Sequence, residues 1–497
     1  MKNIYSKIFC LSVGTLVPLS ALMAQQAPNI LLIVSEDNGC DLGCYGNSHV
    51  YTPNIDKLSQ QGMKFMSAYV TYSVSSPSRG SIFTGLYPHQ NGQIGLATHK
   101  YSMYEGIKTL PKYMRELGYV SGCIGKIHVN PESEVPFDYW ENKDANFGKK
   151  NLKSYADKAV EFGKRYSGKP FFLMVNFPDA HFPLQRQVDG LPNRLVDEKQ
   201  VAALPYINVD SPRHLSFVAS YYDCMNRLDE SVGMLLAEMQ SHGMLHNTVI
   251  IYMSDHGEQF PRAKCSNYEA GLHIPFVVDW PGHIAPATVS TALMSTVDLL
   301  PTFIEMAGGT VPEQLPGKSL LPLFSGEKDK IHSYIFAGGM GSAPIMHYPR
   351  RSVRDDRYKL IVNYNYSEDN PHYNLYLQQQ GHFAGGLSEE ELHLAPDSMK
   401  HVFNTWKRPP LYELYDLWND PYEFHNLSDK KEYQAILCKL KNVLLQWQEE
   451  TNDPIRKPEL LKAINEEVKS ILNKDVDYMQ PGFRWRYLDY FLNDTIQ

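Results

Sequence analysis

Three continuous apolar runs, each followed by charged or imidazole side chains, constrain the fold of this chain more than any other feature. The runs are Asn29–Ser35, Phe171–Phe177 and Thr248–Ser254. Apolar residues at every position, rather than at alternate ones, are typical of strands buried on both faces. Helix-length segments separate the runs, and strands that alternate with helices indicate a mostly parallel sheet covered on both sides. One such segment carries apolar residues at helical spacing: Leu228, Val232, Leu235, Leu236 and Met239.

The polar side chains that follow these runs predict a site at one edge of the sheet. In open parallel sheets, ligands gather beyond the carboxyl ends of the strands. Three separate segments therefore deliver carboxylates or imidazoles to the same edge. These side chains are, in chain order, Glu36 and Asp37, Asp179 and His181, and Asp255 and His256.

The predicted fold class is α/β, with a large, mixed and mostly parallel sheet sandwiched by helices. The sequence pattern changes near residue 346 to strand-like segments with turn signals nearby, which predicts a smaller C-terminal α+β subdomain. We assign residues 25–345 to a first domain, and 346–497 to the subdomain and an aromatic-rich tail without an assigned role. The C-terminal elements that the pattern predicts are strands at Arg354–Asn363 and Tyr412–Leu417 and helices at Lys431–Glu449 and 458–473.

Residues 1–24 have the pattern of a secretory signal peptide. Lys2 and Lys7 precede the apolar run Ile8–Met23, and Ala24 ends the segment. The run is short for a membrane span and no later segment is long enough, so we expect export and no integral membrane segment. A lipoprotein anchor at Cys10 is the less favoured alternative, because Cys10 lies near the start of the run.

Charge and cysteine content exclude other classes of protein. The formal net charge is −8, and it becomes −10 once residues 1–24, which carry two lysines and no acids, are removed. An acidic protein is not built for nonspecific nucleic-acid binding, so nucleic acid is excluded as a partner. The cysteines show neither a disulfide framework nor a zinc-type double pair, and Cys40 and Cys44 could bridge or stay free.

The most informative motif is Ser75-Ser76-Pro77-Ser78-Arg79, followed by Ile82, Thr84 and Gly85. It resembles the signature of the formylglycine-dependent sulfatases, a family of the alkaline phosphatase superfamily. In that signature the first residue, Cys or Ser, is oxidised to formylglycine. The resemblance implies that Ser75 is the modified catalytic residue and that a formylglycine-generating maturase acts on it. Serine as the precursor resembles the bacterial class, which implies export across the inner membrane to the periplasm. A plain Ser/Pro-rich turn is the alternative.

The chemistry explains why serine alone would not suffice at position 75. Serine is a weak nucleophile at its free pKa, and its attack on sulfur would form a serine sulfate that is hard to break. A hydrated aldehyde carries two hydroxyls: one attacks sulfur, and the other collapses to the aldehyde and expels sulfate. The residues Ser78 to Leu86 are expected to open a helix, whose N-terminus attracts anions.

The resemblance also implies one divalent metal ion held by Glu36, Asp37, Asp255 and His256. Adjacent acidic groups are costly together unless a cation neutralises them; a helix cap or a surface pair is the alternative for each pair. Hard oxygen ligands favour Ca²⁺ or Mg²⁺. The first position is more often Asp and the fourth often Asn in the family. The nitrogen ligand of His256 makes Mn²⁺ conceivable as well.

Further catalytic residues follow from the same resemblance. Lys126 and Lys264 match lysines that contact sulfate oxygens, and His128 matches the histidine that contacts the hydrated aldehyde. His181 matches the histidine that faces the leaving group, and Arg79 would orient the aldehyde and balance charge near the metal. For Lys126 and His128 alone, a solvated lysine and a core histidine would be the simpler interpretation.

Several stretches resemble one branch of the family, the N-sulfoglucosamine sulfohydrolases or sulfamidases. They imply hydrolysis of the N-sulfate of glucosamine in heparan sulfate or heparin fragments, with a sulfated oligosaccharide as substrate. An O-sulfatase acting on 6-O- or 2-O-sulfate esters, a phosphoryl or phosphonate hydrolase, and a non-catalytic glycan-binding protein remain alternatives. The stretches are Ile124–Glu132, Phe260–Tyr268, Tyr348–Val353, Leu414–Leu427 and Gln446–Pro454.

A basic cluster of Arg350, Arg351 and Arg354 in the strand region of the second domain is a candidate for substrate binding, and His99 and His347 are candidates near the pocket. In a net-acidic protein, such a cluster could hold the carboxylate or sulfates of a glycosaminoglycan, with ordinary surface charge as the alternative. The oligomeric state stays open, a dimer included. The candidate residues are His99, His347, Arg350 and Arg351, with Arg354 nearby.

Overall fold

The computed structural model describes residues 27–493 of the 497-residue chain. The predicted signal peptide therefore lies outside the described residues. Within 27–493, every helix is too short or too polar to cross a membrane.

The larger sheet is mixed and mostly parallel, which confirms the predicted fold class. Within residues 27–493 its strands are β1 Asn29–Ser35, β2 Met63–Tyr69, β3 Val120–Ile124, β4 Tyr139–Glu141, β5 Phe171–Asn176, β6 Thr248–Ser254, β7 His273–Asp279, β8 Thr288–Ser290 and β9 Met294–Ser295. Their order is β4–β3–β5–β1–β6–β7–β2–β8, and β9 also pairs with β2. Only β7 runs antiparallel to its neighbours β6 and β2.

Helices connect these strands and extend into the C-terminal part. In the described part of the chain they are α1 Pro53–Gln61, α2 Ser75–Thr84, α3 Pro88–Asn91, α4 Leu110–Glu116, α5 Lys153–Arg165, α6 Pro212–Ser241, α7 Glu269–Leu272, α8 Leu299–Met306, α9 Leu321–Phe324, α10 Pro371–Leu377, α11 Glu389–Leu394, α12 Asp397–Lys407, α13 Gln434–Glu450, α14 Pro458–Leu472 and α15 Tyr487–Asn493. The apolar spacing that predicted a helix near residue 230 lies within α6.

Both faces of the larger sheet are buried, as the continuous apolar runs predicted. Along β1, Ile30, Leu32 and Val34 pack into one core, and Leu31 and Ile33 pack into the other. Helices α2, α4 and α8 cover the first core, and α1, α5 and α6 cover the second. Each fully buried aliphatic side chain contributes about 1.5–3 kcal/mol. The two cores together fix the strand ends on which the site depends.

A second, antiparallel sheet has the strand order β10 Ile335–Gly339, β11 Arg350–Arg354, β12 Tyr358–Asn363 and β13 Tyr412–Asp416. This sheet begins before residue 346, the point at which the sequence pattern changes. The reason is that β10 pairs with β11. The stretch Arg354–Asn363 is not one strand. The Asp355 carboxylate accepts hydrogen bonds from the N–H groups of Arg357 and Tyr358, and the chain turns there.

The cysteines of the described residues are free thiols, Cys40 and Cys44 included. Cys40 lies beside His273, and the backbone N–H of Cys44 donates to Asp56. The question that the sequence left open is therefore answered in favour of unbridged thiols.

Candidate active site

Five parallel strands end at one edge of the larger sheet, and the residues that follow them form the candidate site. Strands β1, β2, β3, β5 and β6 all run in the same direction, so their carboxyl ends lie side by side. The predicted site residues therefore converge as expected from the topology. Those residues are Glu36 and Asp37 after β1, Ser75 after β2, Lys126 and His128 after β3, His181 after β5, and Asp255 and His256 after β6.

Ser75 is the first residue of α2, so the whole signature lies in the helix. The sequence placed the helix start at Ser78. The helix starts earlier because Val74, at the N-cap position, is extended, and because Pro77 in the first turn needs no hydrogen-bond donor. All residues of α2 are buried. The Ser75 Oγ lies 3.1 Å from Nε2 of His256, and the helix N-terminus beside it favours an anion.

Arg79 joins the acidic groups from two strands. Its guanidinium donates to Glu36 Oε1 at 2.7 Å and to Asp255 Oδ2 at 3.2 Å. It also donates to Asn176 Oδ1 at 2.7 Å. Burial alone would lower the pKa of Arg79, but Glu36 and Asp255 raise it above its ordinary value. Arg79 is thus a permanent charge that fixes the two carboxylates.

Two lysines complete the charged cluster. Lys126 Nζ donates to Glu36 Oε2, and Lys264 Nζ donates to Asp37 Oδ2, both at 2.7 Å. Burial lowers the pKa of Lys126, although Glu36 opposes this effect. Burial would also lower the pKa of Lys264, but Asp37 raises it above the ordinary value. The three carboxylates therefore face three cationic groups.

Asp37 is shared by two groups of side chains that could hold a metal ion. In each group, atoms from all three side chains lie within 4.8 Å of one another: one is Glu36, Asp37 and His181, the other Asp37, Asp255 and His256. Among the described residues the four predicted ligands do not form a single set of this kind. His181 instead joins Glu36.

The donor atoms at Asp37 and His256 fit a cation. His256 Nδ1 donates to the carbonyl of Gly257 at 2.9 Å, so in the neutral ring, the form that binds metals, Nε2 presents a lone pair. That Nε2 lies 3.1 Å from Asp37 Oδ1. Within residues 27–493, Asp37 Oδ1 is buried without a hydrogen-bond donor. A buried lone pair beside a buried carboxylate oxygen is costly unless a positive charge lies between them.

His181 is held on the opposite side of the cluster. Its Nδ1 donates to the carbonyl of Phe182 at 2.8 Å, and its Nε2 lies 3.8 Å from Asp37 Oδ2. The ring stacks on Phe147 at 3.6 Å between centroids. Burial, followed by the charges of Lys264 and Lys126, holds the pKa of His181 well below its ordinary value. The imidazole can therefore present Nε2 toward the centre in a fixed orientation.

Asp179, which also follows β5, does not join the centre. Its carboxylate pairs with Lys150 and Arg227, each at 2.8 Å. Lys150 Nζ also donates to the backbone carbonyl of His181 at 2.7 Å. Asp179 thus positions the loop that carries His181 rather than contributing to the cluster.

His128 lies in the left-handed backbone region, with a φ of 60°. Its Nδ1 is buried without a hydrogen-bond partner among residues 27–493. Burial, then the charges of Lys126 and Arg79, holds the pKa of His128 well below its ordinary value. His128 therefore presents a neutral ring to the cationic side of the site.

The candidate substrate-binding residues are used in different ways. Arg351 is buried in a two-point ion pair with Asp453, at 2.7 and 2.8 Å, so its guanidinium is engaged inside the protein. Arg350 is also buried and lies over the ring of Tyr348. His347 Nε2 contacts Asn465, and His99 Nδ1 contacts Tyr478 Oη at 2.8 Å. Arg351, His347 and His99 thus each have a side-chain partner within the protein.

Three residues of the site were missed by the sequence analysis. Asn176, which binds Arg79, is the polar last residue of β5, and a polar residue ending an apolar run was a usable signal. Phe147 and His382 lie in stretches without a regular pattern. The His382 ring contacts His181 at 5.3 Å, and its backbone carbonyl accepts a hydrogen bond from Gln259.

Comparison with known proteins identifies the class. The profile of the sulfatase family matches residues 28–309, more than half of the chain. A second profile, the C-terminal region of N-sulphoglucosamine sulphohydrolase, matches residues 257–382. The chain belongs to the sulfatase family, and the predicted resemblance is confirmed.

Individual relatives agree with this assignment. The chain is 30% identical to human N-sulphoglucosamine sulphohydrolase, over 86% of this chain and 91% of the human protein. It is also 30% identical to an ulvan-active sulfatase of Formosa agariphila, over 86% of this chain and 81% of that protein. A structure solved with D-glucosamine-2-N,6-O-disulfate has the same fold, with a TM-score of 0.64, 20% identity, and coverage of 86% and 99% of the two chains.

Proposed function

We propose that the protein hydrolyses the N-sulfate of glucosamine in heparan sulfate or heparin fragments, preferentially at a chain end. The observation that carries this choice of substrate is the match of residues 257–382 to the C-terminal region of N-sulphoglucosamine sulphohydrolases. The matched segment contains Lys264 and His382, which lie at the candidate site. The identity to the human enzyme of that name supports the same choice.

The charge of the site suits a sulfated substrate. The carboxylates of Glu36, Asp37 and Asp255 balance the charges of Arg79, Lys126 and Lys264. A divalent ion held by Glu36, Asp37, Asp255 and His256, Ca²⁺ or alternatively Mg²⁺ or Mn²⁺, would supply two further positive charges and polarise the sulfate group. Lys126 and Lys264 would hold sulfate oxygens as point charges in this dry environment.

Ser75 would act after oxidation to formylglycine, whose hydrate supplies one hydroxyl for attack on sulfur and a second for release of sulfate. Arg79, fully buried and bonded to Glu36 and Asp255, would orient this group and hold the two carboxylates in place. His128, in its fixed backbone conformation, would contact the same group.

His181 would supply the proton that the reaction requires. When the S–N bond breaks, its electron pair goes to nitrogen, and the amine must gain a proton. His181 Nδ1 is already used by Phe182, so Nε2 is the atom that would carry this proton. The negative charge of the bound sulfate would offset the lysine charges that disfavour protonated His181.

The remaining assignments complete the proposal. Residues 1–24 would direct export to the periplasm. The partner there would be a sulfated oligosaccharide. A separate enzyme, the maturase, would modify Ser75. Residues 25–345 would form the catalytic domain and 346–497 the α+β subdomain. Strand β10 precedes this boundary but pairs with β11 of the subdomain.

The test is sulfate release by matured protein from matched N-sulfated, 6-O-sulfated and 2-O-sulfated glucosamine-containing sugars. We expect release from the N-sulfated sugar at the highest kcat/KM. Mass spectrometry of the Ser75 peptide is the control, because oxidation to the aldehyde removes two hydrogens. An unmodified peptide together with glycan binding would favour a non-catalytic protein.

An O-sulfatase is the second candidate, since the ulvan-active sulfatase is as similar as the human enzyme. Release of 6-O- or 2-O-sulfate with the N-sulfate untouched would establish this alternative. The assignment to the sulfatase family would be unaffected by that result.

A further inference from the structure

The aromatic C-terminal segment, for which the sequence offered no role, packs against a loop beside Ser75. We call residues 478–491 the C-terminal clasp and residues 92–104 the clasped loop. Trp485 Nε1 donates to the backbone carbonyl of His99 at 3.1 Å. Tyr478 Oη contacts His99 Nδ1 at 2.8 Å, and Tyr487 Oη donates to the carbonyl of Gly92 at 2.8 Å. The clasp thus binds the loop at Gly92 and at His99.

Apolar contact strengthens this arrangement. The rings of Trp485 and Tyr101 stack, with centroids 4.4 Å apart and planes 20° from parallel. Trp485 and Tyr487 are both fully buried. Their cluster also contains Val74, which immediately precedes Ser75 at the start of α2. Buried aromatic side chains of this size dominate local packing energy, so the loop depends on the clasp for its position.

The clasped loop is bonded to the first turn of α2. The backbone N–H of Ala97 donates to Ser76 Oγ at 2.9 Å. Ser76 is fully buried and directly follows Ser75. Any shift of the loop is therefore transmitted to the turn that presents Ser75.

The same loop is bonded to the segment that carries His128. The side-chain amide of Asn130 donates to the carbonyls of Ala97 and Tyr101, at 2.8 and 3.0 Å. The backbone N–H of Asn130 donates to Gln93 Oε1 at 3.0 Å, and its carbonyl accepts from the N–H of Met103 at 2.7 Å. Four hydrogen bonds thus fix the chain two residues beyond His128.

We propose that the C-terminal clasp positions the reacting groups. It fixes the clasped loop, and the loop fixes the position of the Ser75 turn relative to the His128 segment. The clasp residues are positioning residues, since they act through the loop and not on the substrate. The proposal rests on the proposed function only in taking Ser75 and His128 as groups that act on sulfate. A displacement of about 1 Å at such groups costs up to roughly 10²-fold in rate.

The experiment uses full-length matured protein carrying Trp485→Ala, Trp485→Phe or the double change Tyr478→Phe with Tyr487→Phe. The matched control is Leu492→Ala, an exposed residue next to the clasp, which should behave as wild type. We expect Trp485→Ala to lower kcat about 10- to 100-fold with a small aryl sulfate and with N-sulfated glucosamine alike. Amide hydrogen exchange should become faster in residues 92–104. Trp485→Phe, which keeps an aromatic ring, should recover most of kcat.

Two results would overturn the proposal. If Trp485→Ala and the double hydroxyl variant keep wild-type kcat with the aryl sulfate, the clasp does not position the reacting groups. If only KM for the glycan rises, the clasp shapes a glycan subsite instead. A wild-type protein that hydrolyses the aryl sulfate but spares the N-sulfate would refute the proposed substrate, while the aryl sulfate assay would still test the clasp. If Trp485→Ala does not fold, the kcat of the double variant Tyr478→Phe with Tyr487→Phe tests the proposal.

Discussion

Replacing either partner of the Arg351–Asp453 pair should destabilise the protein without changing its affinity for substrate. Arg351 was a candidate for binding a sulfated glycan, but its side chain is only 2% exposed and that of Asp453 is fully buried. Their two hydrogen bonds tie β11 to the turn after α13. Breaking such a pair leaves one buried charge without a partner, which costs about 3–5 kcal/mol.

This cost converts into a measurable shift in melting temperature. With an unfolding entropy of about 2.1 cal/mol/K per residue, a chain of 497 residues melts roughly 1 °C lower per kcal/mol. Arg351→Met and Asp453→Asn should each melt about 3–5 °C lower. The double variant Arg351→Met with Asp453→Leu should recover much of this loss, because a buried ion pair can be replaced by apolar side chains at little cost.

The same pair predicts a pH dependence of stability. Burial alone would raise the pKa of the Asp453 carboxyl, but Arg351 lowers it from 3.8 to about 2. The pKa of the folded state lies below that of the unfolded state. The contribution of the pair, about 2 kcal/mol, is therefore fully present above about pH 4 and is lost as the pH falls through about 2. Asp453→Asn should lack this part of the acid titration.

The assay combines calorimetric melting with steady-state kinetics on N-sulfated glucosamine, measured well below the melting temperature. We expect KM to stay within about twofold of wild type in all three variants, since changes away from a binding site leave affinity intact. A rise of KM of about tenfold in both proteins that lack Arg351, with Asp453→Asn unaffected, would refute this reasoning and restore Arg351 as a substrate ligand.

Three further predictions concern the candidate site. Ser75→Ala should abolish sulfate release while leaving the melting temperature within about 1 °C of wild type, and full activity with only unmodified serine would contradict the mechanism. Chelation should stop turnover, and Ca²⁺ at a hundredfold excess over its Kd should restore it with about 2.7 kcal/mol of added stability. Asp37→Asn should remove this response and the exposed control Asp329→Asn should retain it. His181→Ala should slow N-sulfate hydrolysis about 10²- to 10⁴-fold and spare activated aryl sulfates; equal losses on both would argue against a proton donor.

Much of the fold and the placement of the site could be predicted from the sequence, because both depend on local patterns. Continuous apolar runs identify doubly buried strands, and parallel strands end at one edge. The polar residues after β1 and β6 could therefore be placed together without knowledge of their contacts. The signature at Ser75 added the family.

The rest depends on contacts between distant segments, which a single sequence does not encode locally. Asp179 comes shortly after a buried strand, as Glu36 does. It nevertheless pairs with Arg227 and Lys150, which belong to two other segments. Arg351 was a candidate substrate ligand because its partner, Asp453, lies 102 residues further along the chain. His382 reaches the site from a short 3-10 helix, Gly381–Phe383, far along the chain from His181. In each case the partner decides whether a charged residue serves the fold or the site.

The partners of Glu36 explain physically why glutamate can stand at a position that is more often Asp in the family. Both of its carboxylate oxygens are engaged by cations, Oε1 by Arg79 and Oε2 by Lys126, whereas Asp37 Oδ1 faces His256 Nε2. The additional methylene of glutamate extends its reach to two cationic groups that come from different strand ends. Asp37 also pairs with one cation, Lys264, through Oδ2, but its Oδ1 is left without a hydrogen-bond donor among the described residues. Glu36 holds the cations in place, and Asp37 joins the two groups of candidate ligands, so the affinity for an ion should depend most strongly on Asp37.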